Sequence, residues 1–480
     1  MAAFSEFHDF TPTLVNEVRL GYNRFNDNIP AGNYQFPGLD SFPNILIQND
    51  LNLQLGPYPN APQSTVLNTY QIVDNLSYLT GRHTWKFGVD GRKYIAPTLF
   101  TQRLRGDYNY SNLERFLLDQ SPDVLAERNV GAAPYDGNQI NFAWFASDEF
   151  KLRPNLTVSL GLRYEYKGVP KGDSLQSLNA IASVPGLIDF RAPKAQTNAF
   201  MPRIGVAYSP GHSGRTSIRA GFGMSYDKYP NNLGVNSKPP ELSSTVDAPL
   251  AQTVNGFLAS GAILPSGAVP VFGMSPRAAG TTFTDPQAAR DATSAYIYDQ
   301  QLPYAINWSL GVQHVFASDY TLEVRYLGDR GVHLITQSHI NVGAVVNPQT
   351  YLPTYLQQPS PATLAALPYT LGDLFNVDPI LPQWAAAGFD NTVIAAFPFR
   401  GNSTYHGLAL ELTRRFRNGL QFKGAYTWSH NIDDSTADLN STSLSSRRPR
   451  DFQNMTAERS SSFLDHRQRL TFAWVYEAPW

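Results

Sequence analysis

Carboxylates and guanidinium groups near the C-terminal end are the first candidates for chemistry. Asp433-Asp434, with Asp438 close behind, could hold Ca²⁺, because a hard cation takes several oxygen ligands. The spacing and the glycine of an EF-hand are missing, so a solvated acidic loop competes with that reading. Arg447-Arg448-Pro-Arg450 could meet lipopolysaccharide phosphates or an anionic ligand, or form a solvated basic loop. His333 and His339 lack further specified ligands for a metal. Asp465-His466-Arg467 has catalytic residue types but no nucleophile motif, which suits ion pairs and hydrogen bonds at a rim or lumen.

Enzyme and cofactor motifs are missing elsewhere too. The sequence has no HExxH, no P-loop and no GxSxG. Gly221-Phe-Gly-Met-Ser-Tyr226 begins like a dinucleotide fingerprint but lacks its third glycine. We therefore expect no enzyme and no cofactor. A net charge of −2 gives no electrostatic argument for a nucleic-acid partner, and 0 cysteines exclude disulfides and thiolate metal sites. No run approaches the roughly 18 apolar residues of a membrane helix.

The elements that carry these residues repeat a simple unit. Two alternating apolar and polar runs flank a short turn, and a long connection follows. In Leu156-Thr-Val-Ser-Leu-Gly-Leu-Arg-Tyr-Glu-Tyr166, the Leu, Val and Tyr side chains share one face, opposite Arg163 and Glu165. The same unit places strands at residues 4–10 and 14–26, 69–79 and 84–94, 139–150 and 156–167, and 200–208 and 216–227. It continues at 303–315 and 320–327, at 404–414 and 420–430, with a last strand at 467–477. Connections at 27–68, 95–138, 168–199, 228–302, 328–403 and 431–466 are long, as extracellular loops of a barrel are. One contains a short helix over 111–118, opened by a Ser111/Glu114 capping box.

Cost decides which face meets lipid. Turning Arg163 outward would place a guanidinium in hydrocarbon at roughly 2–4 kcal/mol near the midplane. The same choice recurs for Arg219, for Glu323 and Arg325, and for Glu411, so the bilayer side should be free of ionised groups. The lumen face is then expected to hold Glu17, Arg19, Lys86, Asp90, Arg163, Glu165, Arg203, Arg219, Glu323, Arg325, Glu411 and Lys423. These residues would line a plug or ligand path, or simply be solvated there. Aromatics near both strand ends suggest two interfacial girdles, with Tyr78, Trp85, Phe150, Tyr208 and Tyr320 at the short turns. Tyr22, Tyr166, Tyr226, Tyr304 and Trp428 stand toward the long loops.

The hairpin Phe142–Glu165 resembles one common in TonB-dependent outer-membrane receptors, and Met201–Pro210 looks like another. Tyr326-Leu-Gly-Asp-Arg-Gly-Val-His-Leu334, Tyr426-Thr-Trp-Ser-His-Asn-Ile-Asp-Asp434, Asp465-His-Arg-Gln-Arg-Leu470 and the tail from Trp474 to Pro479 resemble the Oar-like branch. The resemblance covers nearly the whole chain. It implies a barrel of about 22 strands or more, an N-terminal plug, and a TonB box coupled to an inner-membrane motor. Oar-like members often add an N-terminal carboxypeptidase-regulatory-like domain. Ligands of the wider family include ferric siderophores, cobalamin, glycans and peptides.

The expected fold class is all-β, an antiparallel up-and-down transmembrane β-barrel with long extracellular loops, incomplete at about 13 strands. Residues 1–480 read as a partial receptor barrel domain, with the plug, the regulatory-like domain and a signal peptide not visible. An odd strand without a partner leads us to expect an internal piece of a longer receptor. Its partners would be outer-membrane lipid, an unknown extracellular ligand, and the TonB energy-coupling complex through the plug. Two rival readings are a passive porin or adhesin-like barrel, and a soluble extracellular β-rich glycan-binding protein. A propeller would need a repeat of about 40–50 residues, and the intervals here are irregular.

Overall fold

The computed structural model describes the chain except at residues 101, 131–133, 212, 229–230, 236–243, 248–252, 264–282, 391–392, 435–448 and 479–480. Asp438, Arg447 and Arg448 lie outside the described residues. The chain forms two compact units. The first comprises Met1–Ser183, Asp189–Ile204 and Lys228–Gln301; the second comprises Val184–Ile188, Gly205–Asp227 and Leu302–Trp480.

Among the described residues, each expected strand is present. The first unit holds β1 (Ala2–Thr11), β2 (Leu14–Ile29), β3 (Gln63–Thr80), β4 (His83–Ile95), β5 (Gln139–Arg153) and β6 (Leu156–Lys167). The boundary between the units falls within β7 (Ala199–Tyr208). The second unit holds β8 (Thr216–Tyr226), β9 (Tyr304–Phe316), β10 (Tyr320–Ile335), β11 (Phe399–Arg417), β12 (Leu420–Asp433) and β13 (Gln468–Tyr476). Within each unit these strands pair antiparallel with their sequence neighbours, the up-and-down order that alternating short and long connections require.

The short turns are set by residue chemistry. Asn418 and Gly419, at φ 51° and 74°, form a two-residue turn between β11 and β12. Asn-Gly suits a type I′ turn, which needs φ above zero at both central residues and matches strand twist. A Cβ at Gly419 would also stand 2.7 Å from the Glu477 carbonyl oxygen. Between β9 and β10 the turn uses Ala317 and Ser318 at φ 47° and 61°, and Asp319 anchors it to Arg414 and Arg417.

Register assigns each side chain to a face. Leu160, Phe222 and Val324 lie on the apolar face and are 54%, 39% and 36% exposed, so this face is not a sealed core. Trp308 lies over Gly328, its cross-strand partner, where any Cβ would collide with the indole. The opposite face carries the charges. One expectation is corrected here: the apolar face is not free of ionisable groups. Asp74 sits opposite Val18 and Val89, and Asp148 opposite Leu160 and Trp85. Each has a polar partner on that face: Asn16 donates to Asp74 at 2.6 Å, and His83 Nδ1 lies 2.7 Å from Asp148. Alternation along one strand hides them, because the face of a lone acid is fixed only by the residues opposite it.

Strands leaving a short turn share a spacing. Ten residues beyond the first, β2 has Arg24, β4 Lys93, β6 Tyr166, β8 Tyr226, β10 Arg330 and β12 His430. Register puts all six on the apolar face. Ten steps of about 3.3 Å at a tilt near 40° climb roughly 25 Å, the height of an outer-membrane barrel's apolar band. Near the turns, His83 stacks on Phe150 at 4.2 Å, and Phe422 stands 6.2 Å from Tyr320 and 5.9 Å from Phe472. Amphipathic side chains thus mark the loop end of the band and clustered aromatic rings the turn end.

Leu160→Arg should lower folding stability in lipid vesicles by about 2–4 kcal/mol, whereas Ser159→Arg on the opposite face should cost under about 1 kcal/mol. Denaturant titration of protein refolded into vesicles measures both. Equal losses would contradict the assignment of faces.

Candidate functional site

The polar wall is built from alternate residues of the long strands. In the first unit Glu17 pairs with Arg19 and accepts from Asn75 at 3.3 Å. Asp90 accepts from Gln71 at 3.1 Å and pairs with Arg92 at 2.7 Å. Glu165 lies between Arg163 at 2.7 Å and Lys167 at 2.9 Å. Arg92 and Lys167 were missed in the sequence; extending the two-residue alternation one step past Asp90 and Glu165 finds both. In the second unit register sets Glu323 opposite Glu411, and like charges so placed repel. Arg325 pairs with Glu323, and Lys423 reaches Glu411 at 2.8 Å, which offsets the repulsion.

Three of the expected wall residues have no ion pair among the described residues: Lys86, Arg203 and Arg219. Lys86 and Arg203 share a rung. Lys86 is opposite Ser147, Ser147 is opposite Gly161, and a Cβ added at Gly161 would stand 3.8 Å from that of Arg203. Two exposed cations thus flank a floor of serine and glycine, about 14 Å apart at the usual strand spacing. Such a floor can receive an acidic group without displacing a large side chain.

Above the wall of the first unit, three long connections fold together. Strands Ser244–Asp247, Leu125–Val130, Asp107–Tyr110, Asn44–Ile47 and Leu53–Leu55 form a sheet in that order, with Asn44–Ile47 parallel to Asp107–Tyr110. Its core joins Ile45, Tyr108, Tyr110, Phe257, Leu258 and Ile263. Tyr108 stands edge-on to Phe257 at 5.2 Å, and burial pushes its hydroxyl up to about 12. Arg128, 6% exposed, donates to both Asp40 oxygens at 3.0 and 2.6 Å and to the Ile263 carbonyl at 3.0 Å. The connections expected to be irregular therefore form a cap with its own core.

The short helix is Leu113–Leu117, and its N-cap is Asn112, which accepts from the Arg115 amide at 3.0 Å. This corrects the Ser111/Glu114 box. Ser111 is drawn away by Asp123, to which its amide and hydroxyl donate at 2.8 and 2.6 Å. In the second unit, Asp433 and Asp434 are buried rather than solvated. Asp434 accepts from the Asn402 amide at 2.9 Å and from Arg459 at 3.3 Å. Arg450 pairs with Glu458 at 3.0 Å, and Asp465 accepts from the Asn431 amide and Arg467, both at 2.7 Å. Among the described residues no group of His, Asp and Glu could hold a metal ion.

Burial alone would raise the Asp40 carboxyl, but the Arg128 hydrogen bonds and charge outweigh it and hold it below the usual range. A depressed folded value contributes stability that is full above the unfolded value of about 3.9 and is lost as pH falls through the folded value. Hydrogen-exchange protection of the cap should therefore fall on acidification below about pH 4. Arg128→Ala should remove about 2 kcal/mol of local stability, less than a fully buried pair because Asp40 is half-exposed, and should flatten that pH response.

A family model described as "Outer membrane beta barrel domain" matches residues 1–480. No curated protein matches the chain. Among solved structures the chain is similar to the outer membrane transporter YddB from Escherichia coli, at 12% identity and TM-score 0.49 over 91% of this chain and 42% of that one. It is also similar to P. aeruginosa FpvA bound to heterologous pyoverdines, at 11% identity and TM-score 0.43 over 93% and 41%. The FrpB iron transporter from Neisseria meningitidis gives 11% identity and TM-score 0.42 over 89% and 44%. The chain thus spans less than half the length of these structures.

Proposed function

Because the chain belongs to the outer membrane β-barrel domain family, we propose that it is the barrel part of an Oar-like TonB-dependent receptor that imports a bulky ligand. The protein resides in the bacterial outer membrane. The thirteen long strands among the described residues contribute, on this reading, to a larger barrel, since bacterial single-chain barrels have an even strand count. On this reading it is not an enzyme: the barrel supplies wall, pore and loop contacts, and work comes from the TonB complex acting through a plug.

One observation carries the reading. In the first unit three long connections pack into a folded sheet with its own core, and the polar wall of the same unit keeps cations without an ion pair among the described residues. A passive pore needs only an open lumen, whereas capture of a scarce ligand needs an ordered surface above it. The loops expose Tyr34, Tyr58 and Leu117 in the first unit and Leu356, Leu371 and Phe463 in the second. Such side chains suit an organic ligand with apolar surface, in the siderophore, glycan or peptide classes. The rung from Lys86 to Arg203 suits acidic groups of a docked plug or of the ligand itself.

Growth of strains with and without the gene, on a panel of ferric siderophores, glycans and peptides, tests the reading. One nutrient should require the gene together with TonB and the proton gradient. Lys86→Gln with Arg203→Gln should cut its uptake roughly tenfold, about 1.4 kcal/mol, without changing heat-dependent gel migration. Uptake that survives collapse of the gradient, with steady conductance across a planar bilayer, would establish the passive porin instead.

A further inference from the structure

We propose that the lipid-facing surface around Gly91 binds a phosphorylated, acylated lipid of the outer leaflet; this rests on the outer-membrane location and not on any transport activity. A groove of about 490 Å³ opens on the apolar face of β2 to β5, within the range of small-molecule sites. Leu20, Tyr70, Ile72, Ile140 and Phe142 form its walls, and Gly91 its floor. A Cβ at Gly91 would meet Ile72 Cγ2 at 3.3 Å, so the absence of a side chain there keeps the groove open.

The charge around the groove has one sign. Lys93 lines its loop-side end, in the rung that joins Tyr70 and Ile140. Arg24 lies one rung nearer the loops, opposite Asn68, to which it donates at 3.3 Å. Both are exposed, and neither has an ion pair among the described residues. The acids on this face lie lower, including Glu6 of β1, which is opposite Val18 and 3.8 Å from His8. Asp74 is six residues from the end of β3 at Thr80 and is held by Asn16, and Asp148 is bound to His83 beside the short turn. Arg92, on the opposite face, is held by Asp90.

Depth and geometry fit an amphiphile. Arg24 and Lys93 both stand at the tenth step from the short turn, roughly 25 Å up, where an apolar band gives way to headgroups. Strand spacing and rise place their Cα atoms about 12 Å apart, and two long side chains can converge on one phosphorylated headgroup across that gap. An acyl chain descending from that headgroup enters the apolar groove below. A lipid without phosphate would leave both cations without an anionic partner at the headgroup level. The site therefore selects for phosphate above and hydrocarbon below.

Native mass spectrometry of the detergent-solubilised protein, titrated with diphosphoryl hexa-acyl lipid A or the same lipid without phosphate, tests the site. The wild-type protein should retain the phosphorylated lipid far better. Arg24→Gln with Lys93→Gln should bind it about 30-fold more weakly and lose the preference, at about tenfold for every 1.4 kcal/mol and about 1 kcal/mol per cation. Arg24→Lys with Lys93→Arg should keep it, and Gly91→Leu should weaken both lipids by filling the groove. Equal retention of the two lipids by wild-type protein overturns the proposal, as does unchanged retention by the charge-neutral variant. If that variant fails the heat-dependent migration test of folding, the wild-type comparison decides alone.

Discussion

No water reaches the hydrocarbon of a bilayer, so a chain that crosses it must satisfy every backbone N–H and C=O from within. Strand-to-strand hydrogen bonding does this for the strands between β1 and β13, and most other features follow from it. Once the ladder is fixed, alternate side chains must face opposite ways. Leu160, Phe222 and Val324 then lie on the exposed side, while Glu165 and Asp90 gather bases around them on the other. The acids on the wall are neutralised by residues two positions away on their own strand or across one pair, so this part of the wall is a set of local ion pairs.

The long connections solve a different problem. Away from lipid the backbone can return to water, and these segments are free to build an ordinary packed unit. In the first unit they do so with Tyr108, Tyr110 and Phe257 in the core and the Arg128–Asp40 pair across it. The polar wall beneath keeps Lys86 and Arg203 over a floor of Ser147 and Gly161. The ordered loop sheet rests on strands of three to six residues, whereas the incompletely neutralised wall rests on long ladders.

The strands were legible because a two-residue period is a local signal that needs no partner. Each of the thirteen overlaps its observed span, although β3, β10 and β11 run five to eight residues further into the loops than alternation suggested. The cap was not legible. Its strands are three to six residues long, and its parallel pair joins Asn44–Ile47 to Asp107–Tyr110, far apart in sequence. Nothing local announces such contacts. Asn112 replaced Ser111 as the helix cap because Asp123, also out of local view, claimed the serine. Asp74 and Asp148 show the complementary limit: charge on one strand gains meaning only when the opposite residues are known.

The shared ten-residue interval from turn to amphipathic residue sets a length as well as a boundary. Because Arg24, Lys93, Tyr166, Tyr226, Arg330 and His430 are locked to their turns by continuous ladders, the span cannot stretch or tilt strand by strand. Within each unit the ladder thus acts as a gauge of membrane thickness. A bilayer a few ångströms thicker than this gauge would draw Arg24 and Lys93 into oil or be forced to thin around them, each at a cost per ångström of mismatch. The chain would settle in thinner bilayers and draw short-tailed lipids to its perimeter.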